Sequence, residues 1–291
     1  MLATNGRIKL ALQRNGRLTD ESLRLLRSCG LEFEYQANAL YSPSHNFALD
    51  VLALRDDDIP EYVQDGVADL GIVGENVIVE RQARVKTLRR LGFGACRLMI
   101  SVPNRSSIRS LRHLRGRRIA TSYPNTLKRF LRSNKLEATI IELSGAVELA
   151  PTLDVSDAIC DIISTGTTAR VNGLKPLVSV MESQAVLIAN PRLLSERTRK
   201  ALLDRLLIRI SGSLEARGKR YIMLNAPESA VPRLRSLIPA LKSPTIVPLA
   251  DKGMVALHSV ITEDVFWDVM EKLKQAGASD IIVVPIETII R

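Results

Sequence analysis

The sequence predicts an α/β fold: two lobes enclosing a cleft, followed by a small domain built β-α-β-β-α-β. Three observations carry this. Short apolar runs alternate with helical patterns along most of the 291 residues, the mark of strands joined by crossover helices. The runs fall into two blocks that share no repeat, the second starting near Cys96. From Lys219 the spacing changes, and the order becomes strand, helix, strand, strand, helix, strand. The expected domains are a first lobe over residues 1–95, completed by about 181–218, a second lobe over 96–180, and a third unit over 219–291.

Taken in order, Arg7 to Leu12 reads as the first strand. A helix follows from about Thr19 to Cys29, with Thr19 as cap, Asp20 and Glu21 in its first turn, and Gly30 past its end. Asp50 to Leu54 and Leu70 to Val73 are strands, and between them Pro60 opens a helix that Gly66 closes. Gly71, Gly74 and Glu75 should make a tight turn at a strand end. In the second block Arg97 to Val102, Arg118 to Thr121, Thr139 to Leu143 and Ala158 to Ile163 are strand-like, with a helix over Pro124 to Asn134. Two more strands lie around Pro176 to Val180 and Gln184 to Ile188, and a long amphipathic helix runs from about Ser195 to Ala216, returning the chain to the first lobe. The last unit has strands at Tyr221 to Leu224, Thr245 to Leu249, Met254 to Val260 and Ile281 to Val284. Its helices cover Glu228 to Leu237 and Glu263 to Gln275, which gives a ferredoxin-like arrangement.

Composition excludes several function classes. Apolar residues make up 46% and charged residues 25%, the balance of a soluble globular chain. No run approaches the roughly 18 apolar residues of a membrane span, and the first residues lack the apolar core of a signal peptide, so a cytoplasmic protein is expected. Cys29, Cys96 and Cys160 are scattered without CxxC spacing, which argues against disulfides or a zinc site and for buried small side chains. The net charge of +10 admits nucleic acid as a partner, but only 4% of residues are aromatic and no stripe of them alternates with the basic ones, so no stacking platform is expected. Positive charge also suits a site that holds several phosphates.

The richest chemistry lies in Asp161-Ile-Ile-Ser164-Thr165-Gly166-Thr167-Thr168. A strand ends there in hydroxyls around one glycine, just before a segment able to open a helix. Backbone N–H groups and hydroxyls gathered at such a turn form an anion site. Asp161 cannot hold a phosphate but can hold sugar hydroxyls, so acid and loop together suit a ribose 5-phosphate. No G-x-x-x-x-G-K-[ST] and no G-x-S-x-G is present, which leaves a P-loop and a hydrolase elbow unsupported. Asp56-Asp57-Asp58 reads either as acids complementing a helix start or as a metal site.

The segments Leu143 to Pro151, Asp157 to Thr168 and Asn172-Gly173-Leu174 together resemble the ATP phosphoribosyltransferase family. The similarity continues through Gln13 to Leu18, Arg55 to Pro60, Asp69 to Asn76, Cys96-Arg97-Leu98 and Arg118 to Pro124. Pro244 to Leu249 and Gly277 to Ser279 resemble the regulatory domain of its long form. The resemblance implies a periplasmic-binding-protein-like catalytic core plus an ACT-like C-terminal domain, in an enzyme joining N1 of ATP to C1 of phosphoribosyl pyrophosphate in histidine biosynthesis. It implies that Asp161, Ser164, Thr165, Gly166, Thr167 and Thr168 hold phosphoribosyl pyrophosphate. For ATP it implies Arg14, Arg17, Asp56, Gly74, Glu75, Arg97, Ser122 and Tyr123. Among these residues and Glu148, the catalytic set is Glu148, Asp161, Arg17 and Arg97. Arg14 stands where the family usually has Lys, keeping the charge but changing a point donor to a fork. Mg²⁺ is implied, held mainly by substrate oxygens, with Glu148 or Asp161 as protein partners. L-histidine is the implied inhibitor, at Thr245, Leu249, Ala250, Asp251, Ala278 and Ser279, in a homo-oligomer that passes from dimer to hexamer. The alternative is a non-catalytic two-lobed ligand-binding or regulatory module.

Overall fold

The structure, a computed structural model, describes residues 6–36, 39–163, 173–238 and 243–290. Its first compact unit, residues 1–27 and 31–204, holds two sheets. The first sheet has strand order β2-β3-β1-β4-β11-β5. Its members are β1 (Ile8–Gln13), β2 (Tyr41–Pro43), β3 (Leu49–Leu54), β4 (Leu70–Gly74), β5 (Lys86–Arg90) and β11 (Ala185–Ala189). The second sheet has order β10-β6-β9-β7-β8, from β6 (Cys96–Pro103), β7 (Arg118–Thr121), β8 (Thr139–Glu142), β9 (Ala158–Ile163) and β10 (Leu174–Ser183).

Each sheet has a parallel centre. In the first, β1 lies between β3 and β4 and is parallel to both; in the second, β7 lies between β9 and β8 in the same way. Strand order therefore reverses at β1 and at β7, and in open α/β sheets a ligand crevice forms beyond the carboxyl ends of the strands at such points. Helices α1 (Thr19–Ser28), α2 (Ile59–Gln64) and α3 (Glu75–Arg81) follow β1, β3 and β4, and α4 (Pro124–Ser133) follows β7. Ile59 and Val63 of α2 pack with Ala11, Val73, Val186 and Ile188 in the first core. Leu127 and Leu131 of α4 pack with Leu98, Ile100, Ile119, Ala158 and Cys160 in the second.

Two short crossovers join the sheets, from β5 to β6 and from β10 to β11. They are bonded to each other: Leu91 N donates to the Ala185 carbonyl and Ala185 N to that of Phe93, both at 2.9 Å. Gly94, at φ +63°, sits where a side chain would strike Leu18.

The second compact unit, residues 28–30 and 205–291, holds the third sheet, in order β13-β14-β12-β15. Its strands are β12 (Lys219–Pro227), β13 (Thr245–Pro248), β14 (Met254–Thr262) and β15 (Ser279–Pro285), all pairings antiparallel. Helix α5 (Arg197–Ala216) precedes it, and α6 (Val231–Leu237) and α7 (Glu263–Gln275) contribute Leu234 and Leu273 to a core with Ile222, Leu224 and Leu257. Numbered within the domain, that order is 2-3-1-4, the ferredoxin-like topology expected from the run pattern.

Three elements depart from the sequence reading. Strands β2 and β5 are mostly exposed and highly charged or short, so they carry no apolar run to read. The turn expected at Gly71, Gly74 and Glu75 is instead strand running straight into helix. Gly71 lies inside β4, where a Cβ would come within 2.7 Å of Ile59 and 3.0 Å of Val63; Gly74 is the extended residue before α3, and Glu75 is its first residue. All three cysteines are free and buried, and burial pushes the Cys29 thiol up to about 12. Among the described residues no helix is long and apolar enough to cross a membrane.

Candidate active site

The predicted residues gather at the carboxyl ends of the parallel strands. Arg14 and Arg17 follow β1, Asp56 follows β3, and Glu75 follows β4. Ser122 and Tyr123 follow β7, Asp161 lies near the end of β9, and Glu148 comes on the loop after β8. Both crevices thus present the same chemistry-bearing ends.

The turn after β1 is held by Gln13. Its side-chain oxygen accepts from Leu18 N at 3.0 Å, and its carbonyl accepts from the Thr19 hydroxyl at 3.0 Å. Gly16 has φ +147°, and a side chain there would collide with Gln13. Arg17 is exposed beyond this turn. The Arg14 backbone is fixed on both sides, by its N–H to Leu54 and its carbonyl to the Tyr35 hydroxyl.

Asp56 begins a single turn of 3-10 helix, Asp56–Asp58. Its Oδ1 is buried without a hydrogen-bond partner among the described residues. Burial, then the neighbouring Asp57 charge, pushes its carboxyl up to about 6, against the pull of Arg17. Of the two readings of the acidic triplet, a metal set gains no support: among the described residues no three His, Cys, Asp or Glu side chains gather as ligands.

Across the cleft, Tyr123 is held high by burial, then by the negative charges of Asp161, Asp56 and Asp57. Residues of both lobes therefore share one field. Asp161 is raised by burial and by Glu148, while the Ile162 N–H, 2.7 Å from its Oδ1, favours the charged form. Glu148 lies on the 3-10 turn Val147–Leu149, entered through Ala146 in the left-handed conformation at φ +49°. A non-glycine residue held there costs of order 1 kcal/mol, and such strain clusters at functional sites. Ser122 donates its hydroxyl to the Leu143 carbonyl at 2.6 Å, so its role includes fixing the β7 turn; Thr121 does the same toward Cys160 at 2.7 Å.

Register places Arg97 beside this group. On the antiparallel β6–β9 pair Arg97 faces Ile163 and Met99 faces Asp161, so Arg97 and Asp161 project from one face of the sheet. Arg97, Ile163, Glu75, Arg90 and Glu182 line a pocket of about 490 Å³. Glu75 accepts from Arg90 Nε at 2.9 Å in its wall. Ser164, Thr165, Gly166, Thr167 and Thr168 lie outside the described residues; the strand that leads into them ends at this pocket. Glu182 and Arg90 are not site residues in the sequence reading, and Asp57 enters it only within the acidic triplet; pairing register and through-space proximity bring them here.

In the C-terminal unit Thr245 opens β13, and Leu249, Ala250 and Asp251 follow it, with Leu249 N donating to Met254 and Met254 N to Asp251. Ala278 and Ser279 lie at the start of β15. Strands β13 and β15 are opposite edges of the sheet, so the two groups sit three strand spacings apart, roughly 14 Å. They share one end of it: Pro248 pairs with Val255, Val255 with Ala226, and the adjoining Asn225 with Ser279.

Comparison with known proteins shows the family. The ATP phosphoribosyltransferase family profile matches residues 55–212, and the profile of its C-terminal domain matches residues 216–288. An ATP phosphoribosyltransferase from Cytophaga hutchinsonii is 50% identical over 284 residues, covering 98% of this chain and 99% of that one. Among solved structures, the ATP phosphoribosyl transferase (HisG:HisZ) complex from Thermotoga maritima is 29% identical with a TM-score of 0.60, covering 70% of this chain and 98% of that chain. The alkanesulfonate-binding protein SsuA from Xanthomonas axonopodis pv. citri is more distant, at 18% identity and a TM-score of 0.45, covering 72% and 74%. With matched profiles along most of its length and a named relative at half identity, this chain belongs to the ATP phosphoribosyltransferase family.

Proposed function

We propose that the cleft between the two sheets of the first unit is where this pentosyltransferase joins N1 of ATP to C1 of phosphoribosyl pyrophosphate, with release of pyrophosphate. The observation that carries the reading is the placement of Asp56, Tyr123 and Asp161 at the carboxyl ends of strands from both lobes, with Glu148 on the loop after β8. The non-catalytic alternative has no counterpart to the family match. Asp161 and Glu148 hold the ribose hydroxyls, and Ser164 to Thr168 hold the 5-phosphate. Arg17 and Arg97 bind phosphate oxygens, and Arg14, Asp56, Gly74, Glu75, Ser122 and Tyr123 shape the place of ATP. The nucleophile is a ring-nitrogen lone pair, so no strong base is required. Catalysis rests on holding N1 in line with C1 and on stabilising charge as the bond to pyrophosphate breaks.

The family works with a divalent metal, and we assign Mg²⁺. The residues fit: Asp161, raised by burial and then by the Glu148 charge, gains from a nearby cation. Asp161 or Glu148 would meet a metal carried mainly by substrate oxygens, and the ion would neutralise charge on the leaving pyrophosphate.

The C-terminal domain, residues 219–291, is assigned as the L-histidine site, and residues 1–95 with 181–218, and 96–180, as the two catalytic lobes. Thr245, Leu249, Ala250 and Asp251 on one edge and Ala278 and Ser279 on the other cannot close on one small ligand within a single sheet. This spacing supports a ligand held where edges from two copies meet, in a homo-oligomer read as dimers assembling to hexamers. Exposed Ile246, Val247, Ile282 and Val284 on those same edge strands support such contact. We assign the enzyme to the cytoplasm. The test is pyrophosphate release on mixing the protein with ATP, phosphoribosyl pyrophosphate and Mg²⁺. Release dependent on all three supports the reading, and its absence in folded protein refutes it.

A further inference from the structure

Helix α4 has no N-terminal cap of its own: Tyr123 precedes it without a side-chain bond, and Pro124 opens it. Its first free N–H groups are instead satisfied from the other lobe. Glu80, in the last turn of α3, accepts from Asn125 N through Oε1 at 2.9 Å and from Thr126 N through Oε2 at 2.9 Å. The Thr126 hydroxyl donates to the same Oε2 at 2.7 Å, and Asn125 Nδ2 donates to the Glu80 carbonyl at 3.0 Å. Capping acceptors usually come from the residue that precedes the helix. Here one carboxylate from the first lobe makes three of four hydrogen bonds to the second, and an anion at a helix N-terminus also complements the dipole.

The same short helix touches the cleft at its other contacts. At its start, Asn76 N donates to the Ser183 hydroxyl at 3.1 Å, beside the β10–β11 crossover. At its end, Arg81 Nη2 lies 3.2 Å from Asp57 Oδ2, the neighbour of Asp56. Asn125 stands two residues after Tyr123, whose hydroxyl feels Asp161 of its own lobe and Asp56 and Asp57 of the other. A shift of α4 against α3 therefore moves Tyr123 relative to Asp56.

We propose that Glu80 is a positioning residue for the transfer reaction, a latch that sets the register of the second lobe on the first through the N-terminus of α4. The inference rests on the proposed division of substrates between the lobes. With phosphoribosyl pyrophosphate on one lobe and ATP reaching from the other, the latch sets the approach of N1 to C1 rather than the affinity of either ligand alone. A misplacement near 1 Å is enough to cost on the order of 100-fold in rate.

Two readouts test it in the full chain. The first needs no activity: amide exchange at Asn125 and Thr126. First-turn N–H groups without a cap exchange like solvent-exposed amides. Both should be protected in the wild-type protein and lose about tenfold or more of that protection in Glu80→Ala. The second is steady-state and binding analysis of Glu80→Ala, Glu80→Gln and Thr126→Val. Turnover should fall about tenfold or more in Glu80→Ala and less in Glu80→Gln, whose one oxygen still accepts from the helix. The dissociation constant for phosphoribosyl pyrophosphate should stay within about twofold, because that ligand needs only its own lobe. Thr126→Val keeps the side-chain shape and removes one bond, so it serves if Glu80→Ala fails to fold. Unprotected amides in the wild type, or unchanged turnover in both Glu80→Ala and Thr126→Val, would overturn the latch. Protected amides in a wild-type protein that releases no pyrophosphate would uphold the contact and overturn the functional reading beneath it.

Discussion

Replacing Asp56 with Asn should make the protein more stable and less active, and the gain in stability should vanish in acid. The Asp56 carboxyl is raised from 3.8 to about 6, first by burial and then by Asp57. At pH 8 the group is charged in both folded and unfolded chains, and the folded state bears the cost of burying it. Between about pH 6 and pH 4 the folded state binds the proton first. Stability therefore rises as pH falls through that window, the sign opposite to an ion-paired carboxylate. A difference near two pH units corresponds to about 3 kcal/mol as an upper bound. Losing the attraction of Arg17 and burying an amide reduce it, leaving about 1–2 kcal/mol. Urea unfolding at pH 8 and pH 4.5, read on the transition that the substitution moves, measures it. The Asn variant should be the more stable at pH 8 and within about 0.5 kcal/mol of wild type at pH 4.5. A variant destabilised at pH 8, or equally stabilised at both, would refute the assignment of a buried, uncompensated charge.

Other outcomes follow from the same geometry. Thr165→Ala or Thr168→Ala should weaken phosphoribosyl pyrophosphate binding by about 1.5–3 kcal/mol and ATP binding much less, as calorimetry would show. Arg199 pairs with the largely buried Asp69, whose other oxygen accepts from Lys9 N at 2.8 Å; this lies at the opposite end of the strands from the cleft. Arg199→Ala should thus cost about 1–3 kcal/mol of stability and leave KM for both substrates unchanged. Removing residues from Lys219 onward should abolish inhibition by L-histidine in a remainder that still folds, and persistent inhibition there would exclude the C-terminal site. Light scattering should show mass rising when histidine is added to the full chain, and a monomer with histidine present would contradict an intersubunit site.

Much of the fold was legible because core strands announce themselves as apolar runs: Arg118–Thr121 and Ala158–Ile163 coincide with the strands found, and Glu263–Gln275 with the helix. Elements without such runs were not. Lys86–Arg90 is mostly charged and joins the sheet only through its pairing with β11. The short helix Glu75–Arg81 was hidden behind glycines that read as a turn, yet Gly71 is there for close packing rather than for bending. At the site, hydroxyl density beside an acid points to Asp161, since a loop's chemistry is local, whereas Glu148 enters only through the family resemblance. Glu80 carried no such mark. Its partners, Asn125 and Thr126, are 45 and 46 residues away, and only the fold brings a glutamate from one lobe to the uncapped helix of the other.

The claim that the carboxylates of the cleft hold the reacting sugar is tested most directly by pyrophosphate release in Asp161→Asn beside wild type, with both substrates and Mg²⁺ saturating. Asp161 is raised by burial and by Glu148, so its neutral replacement should fold at least as well. Turnover in the variant should nevertheless fall by about two orders of magnitude, the loss expected when an interaction made in the transition state is removed. Wild-type turnover in a folded Asp161→Asn protein would remove that carboxylate from the site and contradict the reading.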